Sequence, residues 1–384
     1  MRQNAEELMR IGIIGQKRVP SREGGVEKTV EQIGIRLADR GYEVILYNRS
    51  GHNIYGPEFD LPSVEKYRKM AIKSVFCPRG GFGTFFYSFV ATAEAVLNRC
   101  RVIIFNGSGS CNMIPLARIA GVKTIAFIHG IDSQRAKWSN TAKVILRRGE
   151  KTAAKGADTC LVLSQKDMQY LRDLGCESVL PVTNGADVHY EGGCTDVLSR
   201  LGLAERGYIL SVNRLVPEKR IELLIDAFRS VDTDTKLVIV GGEEPGGADY
   251  YHELQKTAAG DNRIQFTGFI DSEAELDDLY LKCRCFVLPS DIEGMSNSLL
   301  EALSRGCLCI VSDIGENASV VSEYGMCFKR GDKEDLAQKL KEALASERRL
   351  ADAQQQIEYV MSNYSWDKAT DRIESEIKRL TNVR

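Results

Sequence analysis

Two carboxylates eight positions apart, Glu293 and Glu301, lie in the segment Asp291-Ile292-Glu293-Gly294-Met295-Ser296-Asn297-Ser298-Leu299-Leu300-Glu301-Ala302. Their surroundings decide what chemistry they could do. Before them runs Cys285-Phe286-Val287-Leu288-Pro289, an apolar stretch that reads as a buried strand. After them the residues from Ser298 to Ser304 read as a helix ended by Gly306. A strand, a Gly/Ser/Asn turn and a helix start leave unpaired backbone N–H groups and partial positive charge at the turn, which suits a phosphate. Glu293 lies at the mouth of that turn and Glu301 just over two helical turns on. Carboxylates around a phosphate site make sense if the ligand also offers hydroxyls, as a nucleotide-sugar does. The plainer alternative makes Glu301 an exposed helix residue and Glu293 a loop charge.

A second set of groups could serve the same anion. Asn213-Arg214-Leu215-Val216-Pro217-Glu218-Lys219-Arg220 follows an apolar strand and opens a helix. Cations at a helix start oppose its dipole, so Arg214 and Lys219 suit an anion there, Arg as a bidentate clamp and Lys as a point charge. Surface ion pairing is the other reading. Near the N-terminus, Gly24-Gly25 opens a helix ahead of Glu27 and would let a ligand approach the backbone. The loop lacks the spacing of a dinucleotide fingerprint and the Walker lysine. His129-Gly130-Ile131-Asp132 ends a strand, where the imidazole could meet a sugar hydroxyl and Asp132 an acceptor hydroxyl. Asp232-Thr233-Asp234 has the look of a metal clamp, but it precedes a strand among turn residues and reads as a loop. With no credible metal cluster, neutralising a leaving diphosphate would fall to Arg214, Lys219 and the helix start at Ser296. No metal or other cofactor is expected.

These groups need elements to hold them at strand ends, and the pattern supplies such elements. Strands read at 10–15, 43–47, 102–106, 124–129, 159–163 and 178–181 alternate with helices at 25–40, 133–156 and 165–174. After a break at 187–195 the alternation restarts. Strands follow at 208–212, 237–240, 264–266, 285–288 and 308–312, with helices at 218–230, 249–259, 272–281 and 296–304. Three more helices read at 333–345, 347–361 and 365–380. This β-α-β order implies parallel sheets covered on both faces, and so two doubly wound domains, with ligands beyond the carboxyl ends of the strands and a cleft between the domains as the default site.

Composition agrees. A chain of 384 residues suits two domains, and 43% apolar with 27% charged residues is ordinary for a globular protein. No run reaches membrane-span length, and the first ten residues do not read as an export signal. The eleven cysteines form no Cys-x-x-Cys pair. Cys283/Cys285 and Cys307/Cys309 alternate as core residues do, and the expectation is a reduced, cytoplasmic chain. Residues 1–195 carry 27 Lys+Arg against 19 Asp+Glu, and residues 196–384 carry 24 against 34. A basic first half implies an anionic partner, either a phosphate-bearing acceptor or an anionic membrane face. Lys66–Arg79, the aromatic stretch 80–89 and the basic stretch Arg135–Lys155 are candidate membrane-facing surfaces; core packing and solvated helix faces are the alternatives. Nothing points to nucleic acid.

The Glu-x7-Glu segment, with its preceding Leu-Pro-Ser and following Glu-Ala-Leu and Gly-Cys-Leu-Cys-Ile-Val-Ser-Asp, closely resembles that of retaining glycosyltransferase family 4, which has the GT-B fold. Asn213-Arg214-Leu215 with Glu218-Lys219-Arg220, and His129-Gly130-Ile131-Asp132, match the same family. Pro20, Gly24, Gly25 and Glu27 resemble the N-terminal loop of a bacterial subgroup that includes rhamnosyltransferases of cell-surface polysaccharide assembly; Gln16–Val19 and Val26 depart from it. The resemblance implies Glu293 beside the donor sugar, Glu301 on the donor ribose, Arg214 and Lys219 on the pyrophosphate and His129 on a sugar hydroxyl. It implies further donor contacts from Gly24, Gly25, Asn213, Gly294, Met295, Ser296, Asn297 and Ser298. Backbone at Phe269 and Ile270 would meet the base, and Asp132 and Glu27 the acceptor. The expected architecture is GT-B: two tandem Rossmann-like domains, 1–190 binding acceptor and 191–364 binding nucleotide-sugar. A last helix, 365–384, would pack back on the first domain. The expected activity is a retaining, metal-independent transfer of rhamnose, glucose or a similar sugar from a UDP- or dTDP-sugar. The acceptor would be a lipid-linked saccharide, and the enzyme would work in the cytoplasm or peripherally on the inner membrane face. A catalytically silent scaffold that binds nucleotide-sugar, or a sugar epimerase of the same fold, are the rival classes.

Overall fold

The computed structural model describes residues 8–21, 24–51, 65–78, 82–134, 138–188, 192–243, 248–346 and 350–382. Arg79, Gly80, Arg135, Lys137 and the middle of the 187–195 linker, which enter the readings above, lie outside the described residues. Two units emerge. One holds the described residues up to Asn184 together with those from Trp366 on; the other is Gly185–Ser365.

The first unit is built on strands β1 (Arg10–Ile14), β2 (Glu43–Ser50), β3 (Lys66–Tyr67), β4 (Met70–Phe76), β5 (Val102–Asn106), β6 (Lys123–Ile128), β7 (Thr159–Val162) and β8 (Val179–Pro181). Their order is β3-β4-β2-β1-β5-β6-β7-β8. All neighbours are parallel except the β3–β4 hairpin. β5 is buried throughout, as a strand covered on both faces must be. Helices α1 (Gly25–Asp39), α2 (Gly83–Leu97), α3 (Ile114–Ile119), α4 (Asn140–Gly156) and α5 (Gln165–Asp173) connect the strands.

Three differences from the sequence reading have local causes. Lys66–Lys73 keeps its cations exposed, but it is a paired strand and not an open segment. It forms the hairpin and most of β4, where Met70, Ile72 and Val75 turn inward. Lys69 pairs with Asp39 at 2.7 Å and Lys73 donates to Asn98 at 3.1 Å. α2 carries the aromatic stretch with its phenylalanines outward, which hides its helical period from a search for an apolar core face. α4 starts at Asn140 instead of Ser133, because Ser139 caps it by accepting from the Ala142 amide. Upstream, Asp132–Gln134 forms a single 3-10 turn.

The second unit contains β9 (Tyr208–Val212), β10 (Lys236–Val240), β11 (Ile264–Gly268), β12 (Cys285–Leu288), β13 (Cys309–Ser312) and β14 (Gly325–Phe328). They are ordered β11-β10-β9-β12-β13-β14 and parallel throughout. Its helices are α6 (Val197–Arg200), α7 (Ile221–Arg229), α8 (Ala248–Ala258), α9 (Glu273–Lys282), α10 (Asn297–Ser304), α11 (Gly315–Val321), α12 (Lys333–Ala345) and α13 (Leu350–Asn363). Strand order reverses direction at β1/β5 in one sheet and at β9/β12 in the other. Connections on the two sides of such a switch run to opposite faces and leave a crevice beyond the carboxyl ends. Cys283, Cys285, Cys307 and Cys309 are free thiols buried in this unit's core.

The final helix, α14 (Trp366–Thr381), lies in the first unit against α1. Ile373 and Ile377 are fully buried. Arg40 pairs with Glu374 at 2.7 Å and Arg36 with Asp367 at 3.1 Å. These ion pairs are partly exposed and contribute little; the apolar stripe provides most of the docking energy. Replacing Ile377 with Ala should therefore destabilise the first unit by about 2–5 kcal/mol, the usual range for a buried isoleucine truncated to a methyl. Urea unfolding followed by Trp366 fluorescence measures it, and a loss below about 0.5 kcal/mol, the range of an ordinary surface substitution, would mean that α14 docks by its charges alone.

Candidate functional site

In the second unit the sequence candidates gather at the β9/β12 switch. β9 ends at Val212, and Asn213 follows with its amide nitrogen bonded to the Val240 carbonyl at 3.0 Å. The Asn213 side chain donates to Ser211 Oγ at 2.8 Å, and Ser211 in turn donates to the Val287 carbonyl on β12 at 2.9 Å. Among the described residues Asn213 Oδ1 is buried with no hydrogen-bond partner, a cost that a ligand donor would relieve. Gly241 closes over this turn. A Cβ there would fall 2.1 Å from the Asn213 carbonyl oxygen, and its φ is +157°, so glycine is required by both space and backbone.

Past Arg214 the chain makes one 3-10 turn at Pro217–Lys219 and enters α7 through Arg220 in a left-handed conformation, φ 53°. That turn delivers Lys219 to the loop after β12. Lys219 Nζ meets Glu293 Oε1 at 2.5 Å, with side chains only 12% and 8% exposed. The loops are tied a second time by the Asp291 amide, which donates to the Glu218 carbonyl at 2.9 Å. The two groups read separately as a diphosphate cation and a sugar carboxylate are therefore one buried ion pair.

Glu293, Gly294 and Met295 lead into α10, which Ser296 caps by accepting from the Leu299 amide at 3.3 Å. The Ser296 and Ser298 hydroxyls are 3.0 Å apart. With Asn297 they form the helix start whose N–H groups could face an anion. Glu301 sits two turns on. Its Oε2 accepts from the Tyr280 hydroxyl at 3.1 Å, a partner with no signal in the motif. Burial holds the Tyr280 phenol well above its ordinary pKa, and Glu301 adds to the shift, so Tyr280 remains a donor at neutral pH. Arg305 lies over the Tyr280 ring, 5.6 Å from its centroid, and bonds the Glu301 carbonyl at 3.1 Å. It is itself neutralised by Asp277, at 2.7 Å from Nε. At the end of β11, Gly268 accepts from the Gly241 amide at 3.0 Å and Ile270 is buried in the core. Phe269 stands half-buried between them.

In the first unit the candidates occupy the carboxyl ends of β1, β5 and β6. Gly24 caps α1 and Gly25 begins it. Glu27 is 5% exposed and accepts from the Lys17 amide at 2.8 Å. Its other oxygen lies against Gly24, where a Cβ would come within 2.5 Å of it. Glu27 thus closes its own loop, and one oxygen already has a backbone partner. His129 follows β6 directly and is stacked on Phe127 with ring centroids 4.1 Å apart. Its Nε2 is 2.9 Å from Asn106 Oδ1. Asp132 opens the 3-10 turn that Glu150 secures. Glu150 is fully buried, yet it accepts from the Ser133 amide at 3.0 Å, Ser133 Oγ at 2.7 Å, Ser108 Oγ at 3.2 Å and Tyr170 OH at 2.8 Å. Four donors thus satisfy both of its oxygens. Burial, and then Glu150, raise the Tyr170 phenol.

Among the described residues no cluster of three His, Cys, Asp or Glu could hold a metal ion. Asp232 and Asp234 lie at the amino end of β10, opposite the edge that carries Asn213 and Glu293. Arg263 bonds the carbonyls of Val231 and Thr233 there at 2.9 Å each.

Known proteins fit this geometry. Residues 23–190 match the model of Glycosyltransferase Family 4 and residues 200–360 that of Glycosyl transferases group 1. The two models together cover most of the chain, one in each unit, and the fold is GT-B, two Rossmann-like α/β units with parallel sheets. It is similar to O-antigen chain mannosyltransferase B of Escherichia coli, 27% identical over 198 residues, covering 49% of this chain and 50% of that one. It is also similar to the UDP-Gal:alpha-D-GlcNAc-diphosphoundecaprenol alpha-1,3-galactosyltransferase of Escherichia coli, 28% identical, covering 54% and 56%. The match thus spans about half the length of these relatives. Sucrose-phosphate synthase of Thermosynechococcus elongatus superposes with a TM-score of 0.81 over 98% of this chain and 100% of its own, at 22% identity; that likeness is one of fold.

The buried ion pair makes a stability prediction. Lys219→Met leaves the Glu293 carboxylate without its counter-charge and should cost on the order of 3–5 kcal/mol. Adding Glu293→Gln should recover most of that loss. Equal unfolding midpoints for Lys219→Met and the wild type would show that the pair is not held in solution.

Proposed function

We propose that this chain is a retaining, metal-independent glycosyltransferase that uses a nucleotide diphosphate sugar. The observation that carries the reading is the assembly at the β9/β12 switch: Arg214, Lys219, the Ser296 helix start and two carboxylates, Glu293 and Glu301, on one strand edge. A leaving diphosphate would draw its charge stabilisation from Arg214, Lys219 and the α10 amides, preorganised donors that need no reorganisation during the reaction. Lys219 also answers why a carboxylate stands beside a phosphate site. Its positive charge, paired with Glu293, would lower the repulsion between that carboxylate and the anion. Glu293 would then face the sugar, and Glu301, steadied by Tyr280, the ribose hydroxyls. No side chain is assigned as a covalent nucleophile; the acceptor hydroxyl would attack on the face that the diphosphate leaves.

The donor we propose is a UDP- or dTDP-hexose or deoxyhexose, rhamnose and glucose among them, and the acceptor a lipid-linked saccharide of surface polysaccharide. The E. coli galactosyltransferase, whose name specifies UDP-Gal and a diphosphoundecaprenol acceptor, supports both choices. The test is transfer to lipid-linked acceptor from UDP-, dTDP- and GDP-sugars, read by product mass. Arg214→Ala should lower turnover roughly ten- to hundred-fold, the loss of one charge-assisted contact, while EDTA should leave the wild-type rate unchanged. Donor binding without turnover would favour the silent scaffold. Activity lost in EDTA and regained with Mn²⁺ would overturn metal independence.

A lipid-linked acceptor implies work at a membrane surface, and one face of the first unit supports this. Phe82, which caps α2, and Phe85, Phe86 and Phe89 on it are 67%, 38%, 36% and 49% exposed. Helices α2 and α4 both pack on the Ser110–Met113 turn, and α4 exposes Val144 and Ile145 beside Arg147, Arg148 and Lys151. Apolar residues next to cations suit peripheral contact with anionic lipid. Among the described residues no helix is long and apolar enough to cross a membrane. Sedimentation with anionic liposomes should fall with salt, each cation contributing about 1 kcal/mol. Changing Lys143, Arg147, Arg148 and Lys151 to Gln should reduce it, and so should Phe85→Ser with Phe89→Ser. Absence of binding at low salt would point to a soluble acceptor.

A further inference from the structure

The carboxyl ends of β1, β5 and β6 meet at a single amide, Asn106, which is 4% exposed. Its Nδ2 donates to the Ile14 carbonyl at 3.3 Å, and its Oδ1 is 2.9 Å from His129 Nε2. The two contacts fix which end of the amide faces which partner. A carbonyl oxygen only accepts, so the NH2 group must face Ile14. The oxygen then faces His129, and an amide oxygen also only accepts. His129 Nε2 must carry the proton.

The main chain that carries this amide is fixed. The Asn106 main-chain carbonyl accepts from Ser110 Oγ at 2.8 Å. It also lies against Gly15, where a Cβ would fall 2.1 Å away. The next residue, Gly107, donates its amide to the Phe127 carbonyl at 2.9 Å. Phe127 stacks on the His129 ring at an interplanar angle of 27°. Backbone bonds, stacking and the side-chain bond all act on the same imidazole.

We infer that Asn106 is a positioning residue that holds neutral His129 in the Nε2–H tautomer, so that Nδ1 is the ring's hydrogen-bond acceptor. A neutral imidazole has one donor and one acceptor, and the partner of one nitrogen sets the role of the other. A ligand hydroxyl that meets His129 therefore donates its proton to Nδ1. The donor sugar selected at this position carries a hydroxyl, and a sugar deoxygenated there binds less well. This consequence for substrate rests on the transferase reading; the tautomer does not.

The test begins with the ligand-free full chain. Long-range ¹H–¹⁵N NMR of histidine-labelled protein reports the tautomer directly, and with four histidines in the chain the His129 signals are assigned by their loss in His129→Asn. Wild type should show the Nε2–H form. Asn106→Ala should show a mixture, with the fold checked by unchanged far-UV circular dichroism. An Nδ1–H form in the wild type would overturn the proposal, whether or not Asn106→Ala folds. So would an unchanged pure tautomer in a folded Asn106→Ala.

A mutant cycle then reads function. His129→Asn keeps an amide acceptor near the Nδ1 position and gives up the bond to Asn106. Asn106→Ala should lower kcat/KM for the hydroxylated donor roughly ten-fold, the loss of one hydrogen bond, and change it little in the His129→Asn background. Equal losses in both backgrounds would make Asn106 a general structural residue and overturn the positioning role. If no nucleotide-sugar is turned over by the wild type, the transferase reading falls while the NMR result still decides the tautomer.

Discussion

The ion pair between Lys219 and Glu293 joins two loops that leave the sheet on opposite sides of its switch in strand order. One loop follows β9 and the other β12, and each presents a helix start. Without a bond between them, the turn ahead of α7 and the turn ahead of α10 would be set independently. With it, and with the Asp291–Glu218 backbone bond, the two turns are tied to each other. Partial burial makes the pair both strict and costly, because little water is left to replace either partner. A site built this way is preorganised by electrostatics, and it is kept in place by the core beneath it. Leu288, Leu299 and Leu300 are buried directly under the loop after β12.

The first unit solves a similar problem with neutral hydrogen bonds. Three strand ends have to present a glycine loop, a histidine and an aspartate at fixed spacing. Two buried polar side chains organise them. Asn106 ties β1 to the histidine at the end of β6, and Glu150 gathers Ser108, Ser133 and Tyr170 beneath the turn that holds Asp132. Both polar atoms of each have a partner, as buried polar groups need to avoid a penalty. Glu27 belongs to the same set, since its carboxylate holds the loop together from inside. The two units therefore fix their candidate groups by different means, charge pairing in one and amide and carboxylate networks in the other.

Much of this was legible in the chain. Strands β5, β9 and β12 and helix α12 occupy the same residues in the structure as in the reading from periodicity, because buried parallel strands and amphipathic helices are written in local composition. The Glu293–Glu301 segment and the Asn213–Lys219 run announced a polar site at strand ends for the same reason: turn residues, cap and charges sit within a dozen positions. The hairpin of β3 and β4 was not legible. Its lysines are exposed, as read, and only pairing with β2 shows that Met70, Ile72 and Val75 turn inward between them. Nor was α2 identifiable, since four outward phenylalanines obscure the side that faces the sheet.

The sequence by itself determined which residue types stand at which strand ends. Partnership was decided by the tertiary structure. Lys219 and Glu293 lie 74 positions apart, Asn106 and His129 23, and Tyr280 and Glu301 21. No local period encodes such distances. They follow from strand order, which places β12 beside β9 and β6 beside β5, and from a core that seats each strand at one register. A carboxylate expected at the donor sugar is also half of an ion pair, and a glutamate expected at the acceptor is also the clasp of its own loop. Side-chain chemistry is local, but the dielectric and the neighbours that govern it exist only once the chain has folded.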